Sequence, residues 1–541
     1  MLTIKRYALV LLTATALAGP AAAQMNPAPD RGADEGSGPH PVMVVRGAML
    51  IDGTGAPPRG PVDIVIENDT IIDVIQAGWP GLPIEDEREP KDADFEIDAS
   101  GMYVMPGFVD MHVHGGGTPK SPDLEYAYKL WLAHGVTTVR GVSLTANAIT
   151  ASEAQRSMRG EIVAPRIVNY QTLGSGWDGG RVHDADTARE WVRWAAENGV
   201  DGIKFFIRRD ETPETVEAAI DEAGKHGMGT VAHIAQPGVA QLNARQLGEL
   251  GLGSVTHFYG HFESLLGGRT VQDYPADYNF YDEYKRFGEA AEIYRQISVR
   301  DSKWYEYLEA QMENDVVFDP TFNIYAASRD LMKARNADWH DEYTLPSLLE
   351  YFESTRDNHG SYFFDWTTGN EVTWTNFYEV YKKLINDYKV MGGRVTVGSD
   401  SSFIWKLFGF GYIEELEMLQ EAGFHPLEVV RAATMDGAVT LAEPTGQAPT
   451  FGIVRPGMVA DLVIVEENPL QNFKTLYGTG HQRLSDDNVV ETVGGVKWTV
   501  ARGVAYEADK LLADVREMVE EQRAERESGS PVESENGDTD E

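Results

Sequence analysis

The chain contains no cysteine. Disulfides, thiolate metal ligands and cysteine nucleophiles are excluded together, so any metal must be held by histidine nitrogen and carboxylate oxygen. Basic residues are scarce as well: 46 Lys and Arg face 85 Asp and Glu, for a net charge of −39. Binding to a phosphate backbone depends on clustered cations, so nucleic acid is not an expected partner. Beyond the amino terminus no apolar run approaches the roughly 20 residues of a membrane span. A fourth absence bears on catalysis. No G-x-S-x-G elbow occurs, so the "HGGG" at His114 to Gly117, which looks like an esterase oxyanion loop, has no serine to serve.

Against these absences stands one unusual presence. Lys204 lies inside the apolar run "VDGIKFFI", and metal-type side chains surround it in the sequence: His112 and His114 in "GFVDMHVHGGG", His233 in "GTVAHIA", His257 in "GSVTHFYG" and Asp400 in "RVTVGSDSS". The runs around them are β-branched or apolar, as expected for strands that present side chains at their ends. His112 and His114 share one face of such a strand, because side chains alternate. Desolvation disfavours a buried ammonium, and a neutral amine can add carbon dioxide to become a carbamate. That product is an anionic oxygen ligand able to bridge two cations. The six residues read as a binuclear hydrolytic site holding two divalent ions, zinc first, with manganese, iron or cobalt also suited to these ligands. Carbon dioxide would be needed for the carboxylation of Lys204.

Spacing supports an α/β chain built around a (β/α)8 TIM barrel. The interval from His114 to Lys204 fits three βα units of roughly 30 residues each, and His233 and His257 fit the next two strands. The interval to Asp400 is much longer than two units, so large insertions are expected at about 262–314 and 326–375. A seventh strand is expected at Val316 to Pro320. Phe377, Val380, Tyr381, Leu384 and Tyr388 form a helical stripe leading to an eighth. Residues 41–104 and 441–508 are strand-like, which suggests a composite β-sandwich formed by both chain ends beside a barrel at 105–440.

The ends read differently. Lys5 and Arg6, the apolar "YALVLLTATALAG" and Ala21-Ala22-Ala23 form a cleaved bacterial export signal over residues 1–23, giving a periplasmic or secreted protein. Residues 24–40 are Pro-, Gly- and Asp-rich and are expected to be a disordered linker. Residues 509–541 are expected to begin as a helix and end as a disordered acidic tail.

The segments "PGFVDMHVHGGG", "HGVTTVRGV", "DGIKFFI", "GSD" and "HPLEVVRAATMDGAVTLA", the last followed by "GIVRPGMVADLVIVEENPL", occur in this order along nearly the whole mature chain. Together they resemble the amidohydrolase superfamily, in its imidazolonepropionase- and prolidase-like branch. The resemblance implies that His112, His114 and Asp400 hold one metal and His233 and His257 the other, with carboxylated Lys204 and a hydroxide bridging them. It implies a hydrolase of amide or peptide-like carbon–nitrogen bonds, with the bridging hydroxide as nucleophile and Asp400 as proton shuttle. An esterase, lactonase or phosphotriesterase on the same centre is the second reading, and a deaminase the third. Deaminases of the superfamily carry a glutamate three residues after the strand-five histidine, and this chain has Gln236 there. The aromatic contact usual just beyond that histidine in prolidase-like members is also absent, since Ile234 and Ala235 stand in its place. The partner is a small-molecule substrate. The aromatic insertions point either to a lid over a hydrophobic or aromatic group or to a homo-oligomer interface. Arg140, Tyr170, Tyr259 and His261 follow strands as well, but suit packing better than substrate contact.

Overall fold

A computed structural model describes residues 25–84, 87–117, 120–208, 211–356 and 362–528. The export signal and the acidic end of the tail lie outside the described residues. Seven runs rich in Val, Ile, Phe and Thr form the strands of a parallel sheet: β1 (Phe108–Val113), β2 (Val136–Val142), β3 (Arg166–Thr172), β4 (Gly202–Ile207), β5 (Gly229–Ile234), β6 (Ser254–Thr256) and β7 (Val317–Asp319). They pair in chain order. Every residue of β1, β2 and β5 is buried, the pattern of parallel strands covered on both faces.

The sheet is a nearly closed barrel of seven strands, and the expected eighth strand is replaced by an irregular crossing. Residues 394–400 run between β7 and β1 with one parallel bridge, Phe318 to Val395. Thr396 N donates to Phe318 O at 2.9 Å and Met111 N donates to Val397 O at 2.8 Å. The ladder then stops for a local reason. Ser399 N donates to the Asp110 carboxylate at 2.8 Å instead of to a backbone carbonyl. Gly398 lies so close that a Cβ there would meet Asp319 Oδ1 at 2.4 Å. The missing regularity brings the backbone of Asp400 down onto β1, where its N–H reaches His112 O at 2.8 Å.

Both chain ends build the second sheet, whose eight strands are joined by hydrogen bonds into one continuous network. The join is the antiparallel pairing of Leu462–Val465 with Tyr103–Pro106. Period-two alternation divides this strand between two cores. Leu462 and Ile464 pack with Val104 on the outer side, while Val463 and Val465 face the barrel with Met105.

Residues 25–40, expected to be a disordered linker, are laid along the molecule. Met25 and Ala28 are buried, and Ser37 pairs with Ala505. The cause is an ionic hub that a reading of composition cannot see. Lys129, almost fully buried, bonds Glu35, Glu125 and Asp514 at 2.9, 2.8 and 2.8 Å. Asp514 belongs to the carboxyl-terminal helix Ala508–Glu527. Helices Glu283–Ala290 and Ser302–Glu313 lie between β6 and β7. After β7 come several short helices and then Thr368–Met391, on which the whole expected apolar stripe from Phe377 to Tyr388 is buried. Among the described residues no helix is long and apolar enough to cross a membrane.

Candidate metal centre

All six expected site residues line one cavity at the carboxyl ends of the barrel strands. His112 lies on β1 with His114 just beyond it, His233 lies on β5, and His257 follows β6 directly. Lys204 is set deeper. In the β4–β5 register it pairs with Val231, whereas His233 pairs with Phe206 one inward step higher. Only a long side chain reaches the histidines from that level. Lys204 Nζ arrives 3.2 Å from His112 Nε2 and is 1% exposed as a residue.

Asp400 ties the group together. Its Oδ1 lies 3.4 Å from His114 Nε2 and 3.7 Å from His112 Nε2, and its Oδ2 lies 3.5 Å from His257 Nε2. The rings of His233 and His257 meet edge to face at 4.8 Å. Three groups that position these atoms sit in left-handed backbone: His257 (φ 64°), Thr321 (φ 44°) and Asp400 (φ 48°). Such strain costs of order 1–3 kcal/mol per residue and collects at functional sites.

The protonation pattern follows from hydrogen bonds. The Thr321 hydroxyl donates to Pro320 O at 2.8 Å, so its oxygen must accept from His257 Nδ1 at 2.5 Å. Nδ1 of His257 therefore carries the hydrogen, and the Nε2 lone pair faces Asp400. Burial above all holds His112 and His257 well below the usual imidazole pKa. Both rings are neutral, the form that binds a metal.

Divalent ions fit these donors. Metal–ligand bonds of about 2.0–2.1 Å in tetrahedral geometry put neighbouring ligand atoms roughly 3.4 Å apart, close to the spacings around Asp400. Ligand atoms of His112, His257 and Asp400 all lie within 4.8 Å of one another.

Sequence reasoning missed the layer beneath. Asp319, the last residue of β7, is fully buried. Its Oδ2 accepts from Arg140 at 3.2 Å and lies 3.8 Å from His112 Nδ1. Arg140 also donates to Met111 O at 2.5 Å and Ser254 Oγ at 2.9 Å. It braces the barrel interior and does not line the cavity. Burial pushes Asp319 up to about 6, with Arg140 opposing, and Asp110 up to about 7. The signal for Asp319 was available, since an acidic residue stood next to the end of the expected seventh strand. His261 bonds Tyr307, and Tyr259 packs against His233 at 5.5 Å. Arg286, Phe287 and Tyr325 complete the cavity wall from outside the barrel strands.

Fold and site thus define a parallel-barrel protein with a metal-type centre at the carboxyl end of its strands. Part of the chain is similar to a known family: the model described as "Amidohydrolase family" matches residues 103–271. An adenine deaminase of Bacillus subtilis (strain 168) is 40% identical over 87 residues, which are 15% of this chain and 15% of that protein. The chain therefore spans only a small part of that curated relative. Among solved structures, a Xaa-Pro dipeptidase with bound methionine matches with a TM-score of 0.56 at 18% identity, covering 86% of this chain and 100% of that one. A bottromycin amidohydrolase matches with a TM-score of 0.57 at 19% identity, covering 88% and 89%. At these identities the shared property is the fold.

Proposed function

We propose that the protein is a metal-dependent hydrolase of amide-type carbon–nitrogen bonds. The observation that carries this reading is the convergence of four imidazoles, a buried lysine amine and one carboxylate on a single cavity. His112, His114 and Asp400 would hold one divalent ion and His233 and His257 a second, with Lys204 as a bridging carbamate. Zinc is the first choice of metal. When bound, such ions polarise a carbonyl and make water acidic enough to attack it near neutral pH.

The chain's own groups do the rest. Asp400 touches three imidazoles through its two oxygens, so it can accept the proton that attacking water loses and return it to the departing nitrogen. The buried neutral imidazoles do not compete for that proton. Gln236 has no acidic proton to shuttle, which weighs against deamination. A neighbouring cavity of about 270 Å³ shares His114 and Phe206 with the first and is lined by Leu173 and Val182, giving room for a bulky group. The insertions cover the site in this reading, and the chain acts after export, with an amino terminus near Gln24.

A hydrolysis screen of N-acyl amino acids, dipeptides, lactones and phosphotriesters, run with metal and bicarbonate, tests the reaction class. Amides should turn over fastest. Cleavage of esters or phosphotriesters alone would move the protein to the second reading. Metal analysis and intact mass should find two ions per chain and one added carbon dioxide, lost in Lys204→Ala. One ion with a plain lysine would end the binuclear reading.

A further inference from the structure

Arg286 is left over from the chemistry above, although it lines the same cavity. It comes from helix Glu283–Ala290, in the insertion after β6, and is only 9% exposed. Its Nε donates to Gln236 Oε1 and one Nη to Glu283 Oε1, each at 3.2 Å. The rings of Phe280 and Phe287 lie 4.5 and 4.9 Å from its Cζ. The guanidinium is therefore held from several sides. Among the described residues its second Nη has no hydrogen-bond partner.

Gln236 stands beside it with a matching deficit. Arginine can only donate, so the oxygen of Gln236 must face it. The amide nitrogen of Gln236 then points elsewhere, buried and without a partner among the described residues. Two donors close to His233 thus lack an acceptor, which folding alone does not favour. A glutamate at 236 would fill the guanidinium with its own charge. A glutamine orients it and leaves it available. Glu283 balances the charge while the cavity holds no anion.

We infer that Arg286, positioned by Gln236 and Glu283, anchors a free carboxylate of the substrate, so that the favoured amides carry an acid group beside the scissile bond. The carboxylate accepts from Arg286, which lines the cavity, while Gln236, outside that lining, holds the guanidinium through its Oε1. The inference rests on the carbon–nitrogen hydrolase reading for what is cleaved, but not for what is bound. Sites built to pair a buried polar group reject analogues that lack it far more strongly than apolar pockets do.

The test compares N-acetylphenylalanine with N-acetylphenethylamine, which lacks only the carboxylate. Wild-type metal-loaded enzyme should favour the acid in kcat/KM by about 10,000-fold. Arg286→Met should collapse that ratio towards one, mainly through KM, and Arg286→Lys should keep part of it. The uncleavable acid 3-phenylpropionate, followed by calorimetry against 3-phenylpropanamide, reports binding without turnover. Its affinity should fall at least tenfold in both Arg286→Met and Gln236→Glu. Equal turnover of acid and neutral amide, with 3-phenylpropionate binding indifferent to Arg286, overturns the anchor and leaves the hydrolase reading intact. Arg286-dependent binding of 3-phenylpropionate without cleavage of either amide supports the anchor and defeats the hydrolase reading instead.

Discussion

Thr321 shows how much one hydroxyl can decide. It passes its hydrogen to Pro320 and so fixes which nitrogen of His257 is free. Thr321→Val should leave the fold intact but lower metal affinity by about 10–100-fold, the usual effect of removing a group that orients a ligand. Chelator competition measures it, and an unchanged affinity would show that His257 does not depend on this bond. Glu263 offers a separate residue-scale test. Burial pushes its carboxyl from 4.5 up to about 7, although Gly260 N donates to it. Its folded pKa lies above its unfolded value, so the stability it contributes is complete below about pH 4.5 and is lost as pH rises through 7. The loss is on the order of 3 kcal/mol at most. Glu263→Gln should flatten the fall in unfolding free energy between pH 5 and 8, and a slope equal to the wild type's refutes the assignment.

Legibility at this scale followed distance along the chain. His112, His114, Lys204, His233 and His257 each ended or interrupted a short apolar run, so local pattern picked them out. Arg286 did not, because its place in the cavity depends on how an insertion folds back. Gln236 was visible as a departure from the deaminase pattern, but its partner was not.

The insertion elements are stacked in tiers. Phe287 faces the cavity, and Tyr362 stacks on it at 4.1 Å and 18°. Tyr325 likewise faces the cavity and has Trp374 behind it at 5.7 Å. The segment after β7 therefore backs a wall to which it contributes Tyr325 and the segment before β7 contributes Phe287. Tyr362→Ala removes a fully buried ring and its bond to Ser328 Oγ. It should cost about 3–5 kcal/mol, the range for large aromatic-to-alanine changes, and should loosen substrate discrimination before it affects metal content. Denaturant unfolding together with metal analysis checks both. Metal loss at unchanged stability would place Tyr362 in the wrong tier. The elements also show where pattern fails. The eighth crossing has a strand's composition, yet the Asp110 carboxylate and Gly398 redirect its backbone. The two chain ends join in one sheet because Leu462–Val465 pairs with Tyr103–Pro106, a pairing no local window contains.

For the molecule as a whole, the centre should contribute to stability as well as chemistry. Ligands that bind only the folded chain add about 3–4 kcal/mol when present at 100 to 1,000 times their dissociation constant. Stripping the ions with a chelator should therefore lower the melting midpoint by several degrees, and zinc should restore it. A midpoint indifferent to both treatments would mean the six side chains hold no resident ion.

The shared sheet also imposes an order in time. Its amino-terminal strands are made before the barrel, but their partners at 462–507 come after it. Until the last part of the chain emerges, Tyr103–Pro106 presents an open edge, and open edges invite wrong pairing. The barrel must form while that edge waits, and completion of the sheet closes a loop that encloses the whole barrel. Late, long-range closure is slow. The carboxyl-terminal strands therefore act as the latch of folding, and a chain cut short before Leu462 would keep its metal ligands yet leave a sticky half-sheet exposed.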